Sequence, residues 1–598
     1  MASQTPDLGF DPDVLREKYR LERDKRLRAE GSDQYQEVSG DFSHYVDDPY
    51  VQTPISRAPL TDTMDVVVIG GGFGGLIAAA RLREAGVEKI RIIEKGGDFG
   101  GTWYWNRYPG AACDIESYIY LPLCEELNYV PKEKYTHAPE ILQHSRKIAE
   151  KYRLYDDACL QTQVTELVWD DDAAQWIIYT NRGDAMGARF VVMANGPLNR
   201  PKLPGIQGIS DFRGHTFHTS RWDYAYTGGG PAGNLSKLQD KRVAIIGTGA
   251  TAVQCIPHLG ASAAALYVFQ RTPSSIDIRN NRATDPQWAA SLKPGWQKAR
   301  MENFNTLTSG GIVEEDLIQD GWTEIIRNLI SMANFRGQGI ERSEVPRLME
   351  LADFQKMEQV RARAAAVVKD PAVAEALKPY YRQFCKRPCF HDEYLPTFNR
   401  DSVHLVNTDG RGVDGITATG IVANGIEYPV DCIIFATGFE VGTDYTRRAG
   451  YDLVGKDGLR LSSKWADGIR TLHGLHTRGF PNLFIVSNSQ AAFTTNFPHA
   501  MDEQAQHISY IVRQCMTGNI RTVEAAAAAE DNWVQEIISL SRLSESFQAA
   551  CTPGYYNNEG QPSPTSAQNG AYGKGPNAYF RKMQAWRDEG NMVGLELG

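Results

Sequence analysis

The chain has 598 residues, 42% hydrophobic and 10% aromatic, with a net charge of -10. That length exceeds what one core organises, so two or three domains are expected, and the acidic balance excludes general nucleic-acid binding, which needs a basic face. No apolar run is long enough to cross a bilayer, and the first ten residues lack the basic-then-apolar order of a secretory signal. The nine cysteines are scattered without a CxxC pair or Cys/His cluster, the nearest two being Cys385 and Cys389. They read as free thiols in a reducing compartment, and a soluble cytoplasmic protein is expected.

Residues 1–60 stand apart as a partly helical extension. Asp11 and Pro12 form an N-cap and first-turn proline ahead of a charge-dense run, and the rest is polar and irregular, an arrangement that predicts packing rather than chemistry. At Asp65 the texture changes. Val66, Val67, Val68 and Ile69 make a buried-strand run, followed by a glycine loop, a helix over 76–85 and a second strand over 90–93. The same order recurs from Arg242, with a strand to Ile246, a loop from Gly247, a helix, and a strand over 266–269. Residues 281–382 have a helical texture, with amphipathic stretches at 317–334 and 354–368. Strands return at 425–428, 432–435 and 483–486, residues 524–530 predict an alanine-rich helix, and the last fifty residues read as loop. The expected class is α/β, with two Rossmann-like dinucleotide-binding domains. One comprises 61–203 and 431–598, the other 204–280 and 383–430, with 281–382 as a helical insertion.

Each loop has the fingerprint of a dinucleotide turn. Its first glycine makes the tight bend, its second admits a pyrophosphate, and its third position lets helix and strand pack closely, with phosphate at the helix N-terminus. The first unit supplies Gly70, Gly72 and Gly75; the second supplies Gly247, Thr248, Gly249 and Ala252. What separates them lies 24 positions on. Glu94 can accept bonds from both ribose hydroxyls, as FAD or NAD requires, whereas Arg271 and Thr272 suit the 2'-phosphate of NADPH.

Two longer patterns carry a family resemblance. Phe212, Gly214, His218, Trp222 and Asp223 complete FxGxxxHxxxW[PD], and residues 100–114 complete [AG]GxWxxxx[FY]P[GM]xxxD through Gly101, Trp103, Tyr108, Pro109, Gly110 and Asp114. Over about 62–500 the chain resembles the Baeyer–Villiger monooxygenases, which use FAD, NADPH and O2 to turn ketones into esters or lactones through a flavin C4a-peroxide, with NADP+ retained during the cycle. Disulfide reductases share the two-nucleotide plan but need a redox dithiol that this sequence lacks. Two rival readings stay open, a flavin monooxygenase making mainly sulfoxides or N-oxides and a non-catalytic flavin-binding redox module.

The resemblance implies roles. An anionic peroxide needs a fixed cation, and arginine stays protonated throughout the working range. Lys386-Arg387-Pro388 resembles the family's segment in which the arginine is that cation and the lysine helps hold the 2'-phosphate, with Asp114 orienting Arg387. Gly101, Thr102, Trp103, Asp114 and Tyr120 would frame the flavin, and Ala436, Thr437 and Gly438 resemble the superfamily's strand-turn beside the nicotinamide nucleotide. His218, Trp222 and Asp223 would couple the two domains. Near the C-terminus, Cys551 to Asn558 stands where many members carry a loop with Ser-Trp, and here that tryptophan is missing. This departure and the N-terminal extension resemble the branch that accepts bulky macrocyclic, polycyclic or steroid ketones.

Overall fold

The computed structural model describes residues 9–324, 327–328, 344–541, 545–561 and 563–598. Its frame is two sheets. In them the predicted strands at 66–69, 90–93, 242–246, 266–269, 432–435 and 483–486 are joined by further strands that the apolar runs did not mark. The predicted strand at 425–428 lies in a separate small antiparallel sheet. The first is seven-stranded. Thr63–Ile69 lies at its heart, parallel to Ile90–Ile93 on one side and to Ala185–Met193 on the other. Gln175–Thr180 and Val164–Asp170 continue it antiparallel, Leu453–Val454 closes that edge, and Leu483–Ile485 adds parallel to Ala185–Met193. Helix Phe73–Glu84 follows the glycine loop and is buried on nearly every side, so its sequence is apolar rather than amphipathic.

The second sheet has five strands in the order Val403–Asn407, Ala265–Gln270, Arg242–Ile246, Cys432–Phe435, His215–His218, every pair parallel. The expected domain boundary at 431 therefore falls too early. Cys432–Phe435 is wholly buried between Arg242–Ile246 and His215–His218, because an apolar run without alternation needs a strand on both edges and cover on both faces. The chain re-enters the first sheet only at Leu453–Val454.

Between 281 and 382, helices Pro286–Ser291, Trp296–Thr308, Val345–Val367 and Pro371–Ala376 are present. Of the expected helical stretch 317–334, residues 325–326 and 329–334 lie outside the described residues. The C-terminal fifty residues are not all loop, because Pro576–Glu589 is a helix that buries Tyr579, Phe580, Met583 and Trp586 at helical spacing. The alanine-rich stretch also starts later than expected. Val523–Ala525 pairs with Leu595–Leu597 as a strand, and the helix runs Ala527–Leu540. Among the described residues no helix is long and apolar enough to cross a membrane.

The extension packs by its sequence logic. Asp11 caps helix Pro12–Asp24 by accepting from the amides of Asp13 and Val14. Leu15 and Tyr19 then bury against Phe354 of helix Val345–Val367. Beyond the helix, Tyr35–Gln36 pairs antiparallel with Leu203–Pro204. The cysteines correct one expectation. Seven are free and buried, but Cys385 and Cys551 form a disulfide across 166 residues of sequence. Tertiary packing alone brings them together, so no local spacing announced the pair, and the inference of a reducing compartment loses that support.

Candidate functional site

The first glycine loop follows Thr63–Ile69. Gly70 has φ +109°, and a Cβ there would meet the Ala194 carbonyl oxygen at 2.4 Å. Gly72 caps helix Phe73–Glu84 without a side chain, leaving first-turn amides free to receive phosphate. At Gly75 a Cβ would come 1.9 Å from the Gly70 carbonyl oxygen, so only glycine lets the helix pack this close. Glu94 closes strand Ile90–Ile93, and its two oxygens accept from the amides of Gly71 and Gly96, both at 2.7 Å. Burial raises its carboxyl above the usual range, the two amides opposing.

Gly101, at φ +52°, lies against this loop, where a Cβ would meet the Gly72 Cα at 2.6 Å. It caps the single helical turn Thr102–Trp105. Trp103 Nε1 donates to Tyr120 Oη at 3.1 Å with the rings edge to face, so these two members of the predicted flavin frame are in contact. The backbone after Tyr108 then leaves the first unit. Gln254, on helix Ala250–Ser262, accepts from Tyr108 Oη at 2.9 Å and donates to the Ala112 carbonyl at 2.9 Å, stitching the Trp103 signature to the second unit.

Asp114 ends that signature at the seam. Both its oxygens accept from Arg387, Oδ2 from Nε and Oδ1 from Nη2, each at 2.8 Å. Trp322 Nε1 donates to the Asp114 carbonyl at 2.9 Å, and the Arg387 guanidinium lies 5.3 Å from the Trp322 ring centroid. Burial works against both charges, but each partner more than offsets it. The guanidinium holds the Asp114 carboxyl below the usual carboxylate range, and Asp114 holds Arg387 protonated well above its own.

His218 ends strand His215–His218, fully buried, with Nδ1 accepting from the Ser220 amide at 3.2 Å and 2.8 Å from Ser220 Oγ. Burial and then Arg221 push it down to about 3, with the Gly438 carbonyl opposing, so the ring is neutral at any working pH. Arg221, an unspecified position of the same signature, stacks 3.8 Å over the Trp105 ring of the other signature. It also donates to the Asp47 carbonyl of the extension at 2.9 Å. Trp222 is buried, donating to Thr227 Oγ1. Asp223 instead faces its own unit, where it caps the turn Tyr224–Thr227 and pairs with His215 at 3.0 Å.

The second loop repeats the first. Gly247 has φ +112°, Gly249 caps the helix, and Ala252 is buried. Thr248 Oγ1 donates to the Thr272 carbonyl at 2.7 Å. The turn Ala436, Thr437, Gly438 sits beside it, with the Ala436 carbonyl against Gly247 and Thr437 and Gly438 both bonded to Lys202 backbone. Arg271 Nη1 donates to Gln34 Oε1 at 2.7 Å, and Thr272 Oγ1 accepts from Arg26 Nε at 3.1 Å, so the extension reaches the predicted phosphate residues. Lys386 Nζ donates to the Pro553 carbonyl at 3.1 Å, and burial together with Arg271 pushes its pKa down to about 8. Lys202, Arg221, Gln254 and Glu559 escaped the sequence reading. Only Arg221 carried a signal there, its place between His218 and Trp222. The residues around both loops fit a dinucleotide each, with backbone amides for phosphate, a carboxylate for one ribose and cations for the other.

Known proteins are similar to this chain over nearly its whole length. The family described as pyridine nucleotide-disulphide oxidoreductase matches residues 67–309. The neopentalenolactone D synthase of Streptomyces avermitilis is 53% identical, covering 98% of this chain and 99% of its own length. A Baeyer–Villiger monooxygenase of Stachybotrys chlorohalonatus, ATR8, is 48% identical over 99% of this chain and 95% of its own. The solved polycyclic ketone monooxygenase from Thermothelomyces thermophila superposes with a TM-score of 0.90 at 37% identity, covering 98% of this chain and 99% of its own. A further solved neighbour holds FAD and NADP together. The chain belongs to the Baeyer–Villiger monooxygenases, enzymes that use FAD, NADPH and O2 to convert ketones to esters or lactones.

Proposed function

We propose that this enzyme oxygenates bulky polycyclic ketones to lactones and that Arg387, held by Asp114, is the cation on which the oxygen transfer depends. The observation that carries this is the bidentate Asp114–Arg387 pair beside Trp322, at the seam of the two nucleotide units. Bound FAD supplies the activated oxygen after reduction by NADPH. Arg387 stabilises the negative charge that develops on the ketone oxygen, a contribution of about 3–4 kcal/mol for one well-placed donor. Asp114 fixes the plane of the guanidinium, and Trp322 covers it against water. Glu94 holds the flavin's ribose. Arg271, Thr272 and Lys386 hold the 2'-phosphate, while His218, with Arg221 beside it, ties the 436–438 turn to the signature segments of both units. The substrate class rests on relatives whose names specify a lactone product and a polycyclic ketone.

The test is NADPH consumption by purified yellow protein with ketones from cyclohexanone through cyclopentadecanone to a steroid ketone and a fused-ring ketone, with products read by mass spectrometry. Products one oxygen heavier, formed in step with NADPH and fastest for the fused-ring ketones, are expected. Equal or better turnover of cyclohexanone would overturn the substrate class, and NADPH spent with every ketone but with no product one oxygen heavier would overturn the role of Arg387.

A further inference from the structure

Glu559 is buried and lies among the cations proposed for the 2'-phosphate. Its Oε1 is 3.1 Å from Lys202 Nζ and its Oε2 is 3.5 Å from Arg271 Nη2. Lys386 and Arg26 add to the same positive field. Burial alone would raise this carboxyl, but Lys202, Arg271 and Lys386 hold it below the usual carboxylate range. The cluster therefore already contains an anion supplied by the chain.

That anion arrives on a segment held in an unusual conformation. Asn558 and Glu559 are both left-handed, at φ +48° and +55°, an arrangement non-glycine residues adopt in succession only when the surroundings impose it. The surroundings are specific. The Cys385–Cys551 disulfide and the bond from Lys386 to the Pro553 carbonyl fix the start of the segment. Asn557 Oδ1 accepts from the amides of Gly554 and Gly560, closing the turn on itself. From the extension, Ser32 Oγ donates to Asn558 Oδ1 and the Arg28 carbonyl accepts from Gln561 Nε2. Tyr35, whose ring lies 3.8 Å from Lys202 Nζ, lines a cleft beside the carboxylate together with Ser32, Thr443 and Asn558. Tyr555 and Tyr556, on the same turn, add to the electrostatic surroundings of Arg387.

A phosphate of nearly two negative charges drawn to Arg271 and Lys386 meets the Glu559 carboxylate on the same cations, and this like-charge contact in a partly desolvated site opposes the two anions binding together. We propose that Glu559 is a built-in occupant of the 2'-phosphate site, so that a nucleotide carrying a 2'-phosphate enters only by displacing its carboxylate from Lys202 and Arg271 and thereby releases the 554–561 turn. This rests on the reading of Arg271 and Lys386 as the phosphate site. An adenosine nucleotide without a 2'-phosphate neither needs these cations nor displaces the carboxylate, so Glu559 weakens binding of the 2'-phosphorylated nucleotide alone, and its release reports that this cofactor has entered. Displacement also moves the turn that carries Tyr555 and Tyr556 beside Arg387, linking recognition of the cofactor's far end to the oxygenation site.

The test uses the full-length flavin-loaded protein and titration calorimetry with two probes, adenosine 2',5'-bisphosphate and 5'-AMP. Removing a competing occupant raises the fraction of binding-competent sites, so Glu559→Gln is expected to tighten the bisphosphate by at least about fivefold and to leave 5'-AMP unchanged. Unchanged or weaker bisphosphate binding in Glu559→Gln would show instead that the carboxylate only scaffolds the cations, and would overturn the proposal. Arg271→Ala keeps the underlying reading separately testable, because it must weaken the bisphosphate at least tenfold, and no effect there would remove the phosphate site itself. Hydrogen exchange on the unmutated protein provides the check that needs no variant. Amides of 554–561 are expected to lose protection with the bisphosphate and not with 5'-AMP, and equal protection with both would overturn displacement.

Discussion

The two glycine loops have nearly the same backbone and different surroundings. Gly70 and Gly247 have φ of +109° and +112°, and a Cβ on either would meet a carbonyl oxygen, that of Ala194 or of Ala436, at 2.4 Å. Ala194 and Ala436 in turn donate to Ile69 and Ile246, each the last residue of the strand that enters a loop. Around that shared frame the units diverge. Glu94 is fixed by amides of its own unit, Gly71 and Gly96. Arg271 is held by Gln34 from the extension and Glu559 from the C-terminal region. The fold thus repeats one loop frame twice over with different side chains around it. On the proposed assignment, the flavin side would complete its selection locally and the nicotinamide side would assemble it from distant parts of the chain.

The largest effect is expected where the first loop is tightest. Gly75→Ala places a Cβ 1.9 Å from the Gly70 carbonyl oxygen, an overlap that backbone movement alone can relieve. A loss of about 3 kcal/mol or more and protein purified without flavin are expected, read by thermal melting and by absorbance of the yellow cofactor. An intact, fully yellow variant would mean that the first loop is no more tightly packed than the second.

Next in size is Arg271→Ala. Losing a charge-assisted contact to phosphate costs about 1.5–3 kcal/mol, a rise in KM for NADPH of roughly 10- to 100-fold with flavin content and saturated turnover preserved. If KM for NADPH and for NADH changed equally, the distinction drawn between Glu94 and Arg271 would fail.

A smaller effect should appear with pH. Burial and Arg271 lower the Lys386 pKa to about 8, so its ammonium is charged below that pH and neutral above it. Phosphate needs the charged form, so kcat/KM for NADPH should fall as pH rises through about 8. Lys386→Arg should flatten that limb because the guanidinium does not titrate there. The smallest change is Ala252→Gly, which restores in the second loop the glycine of the first. Helix propensity alone sets its cost at about 1 kcal/mol, visible in melting and absent from NADPH affinity.

Legibility in the sequence followed the same division. Both strand–loop–helix units, and the places of Glu94 and Arg271 at the ends of their second strands, were readable because each is a local pattern whose spacing follows from strand and helix geometry. The two signatures, by contrast, were legible through the resemblance. The Asp114–Arg387 pair was reached through the resemblance alone, since nothing between two residues so far apart dictates contact. The Cys385–Cys551 bridge, the Gln254 stitch and Glu559 in the cation cluster were unreadable for that reason, being products of tertiary packing without periodicity. The error at 431 has a different origin. A short buried strand of Cys, Ile and Phe fits either sheet equally well, and only pairing chooses. In the C-terminal fifty residues the signal was present, because Tyr579, Phe580, Met583 and Trp586 trace one helical face, but the Gly, Asn, Pro and Ser around them dominated the composition.

The most direct test of the account is Arg387→Ala followed in two separate half-reactions. Stopped-flow bleaching of the flavin by NADPH without O2 should proceed near the native rate, because hydride transfer does not draw on this cation. With O2 and a fused-ring ketone, lactone formation should fall roughly 10²- to 10³-fold, the equivalent of the 3–4 kcal/mol assigned to one oriented donor, with NADPH spent on H2O2 instead. Lactone formation at the native rate would contradict the assignment of Arg387, and with it the role given to Asp114.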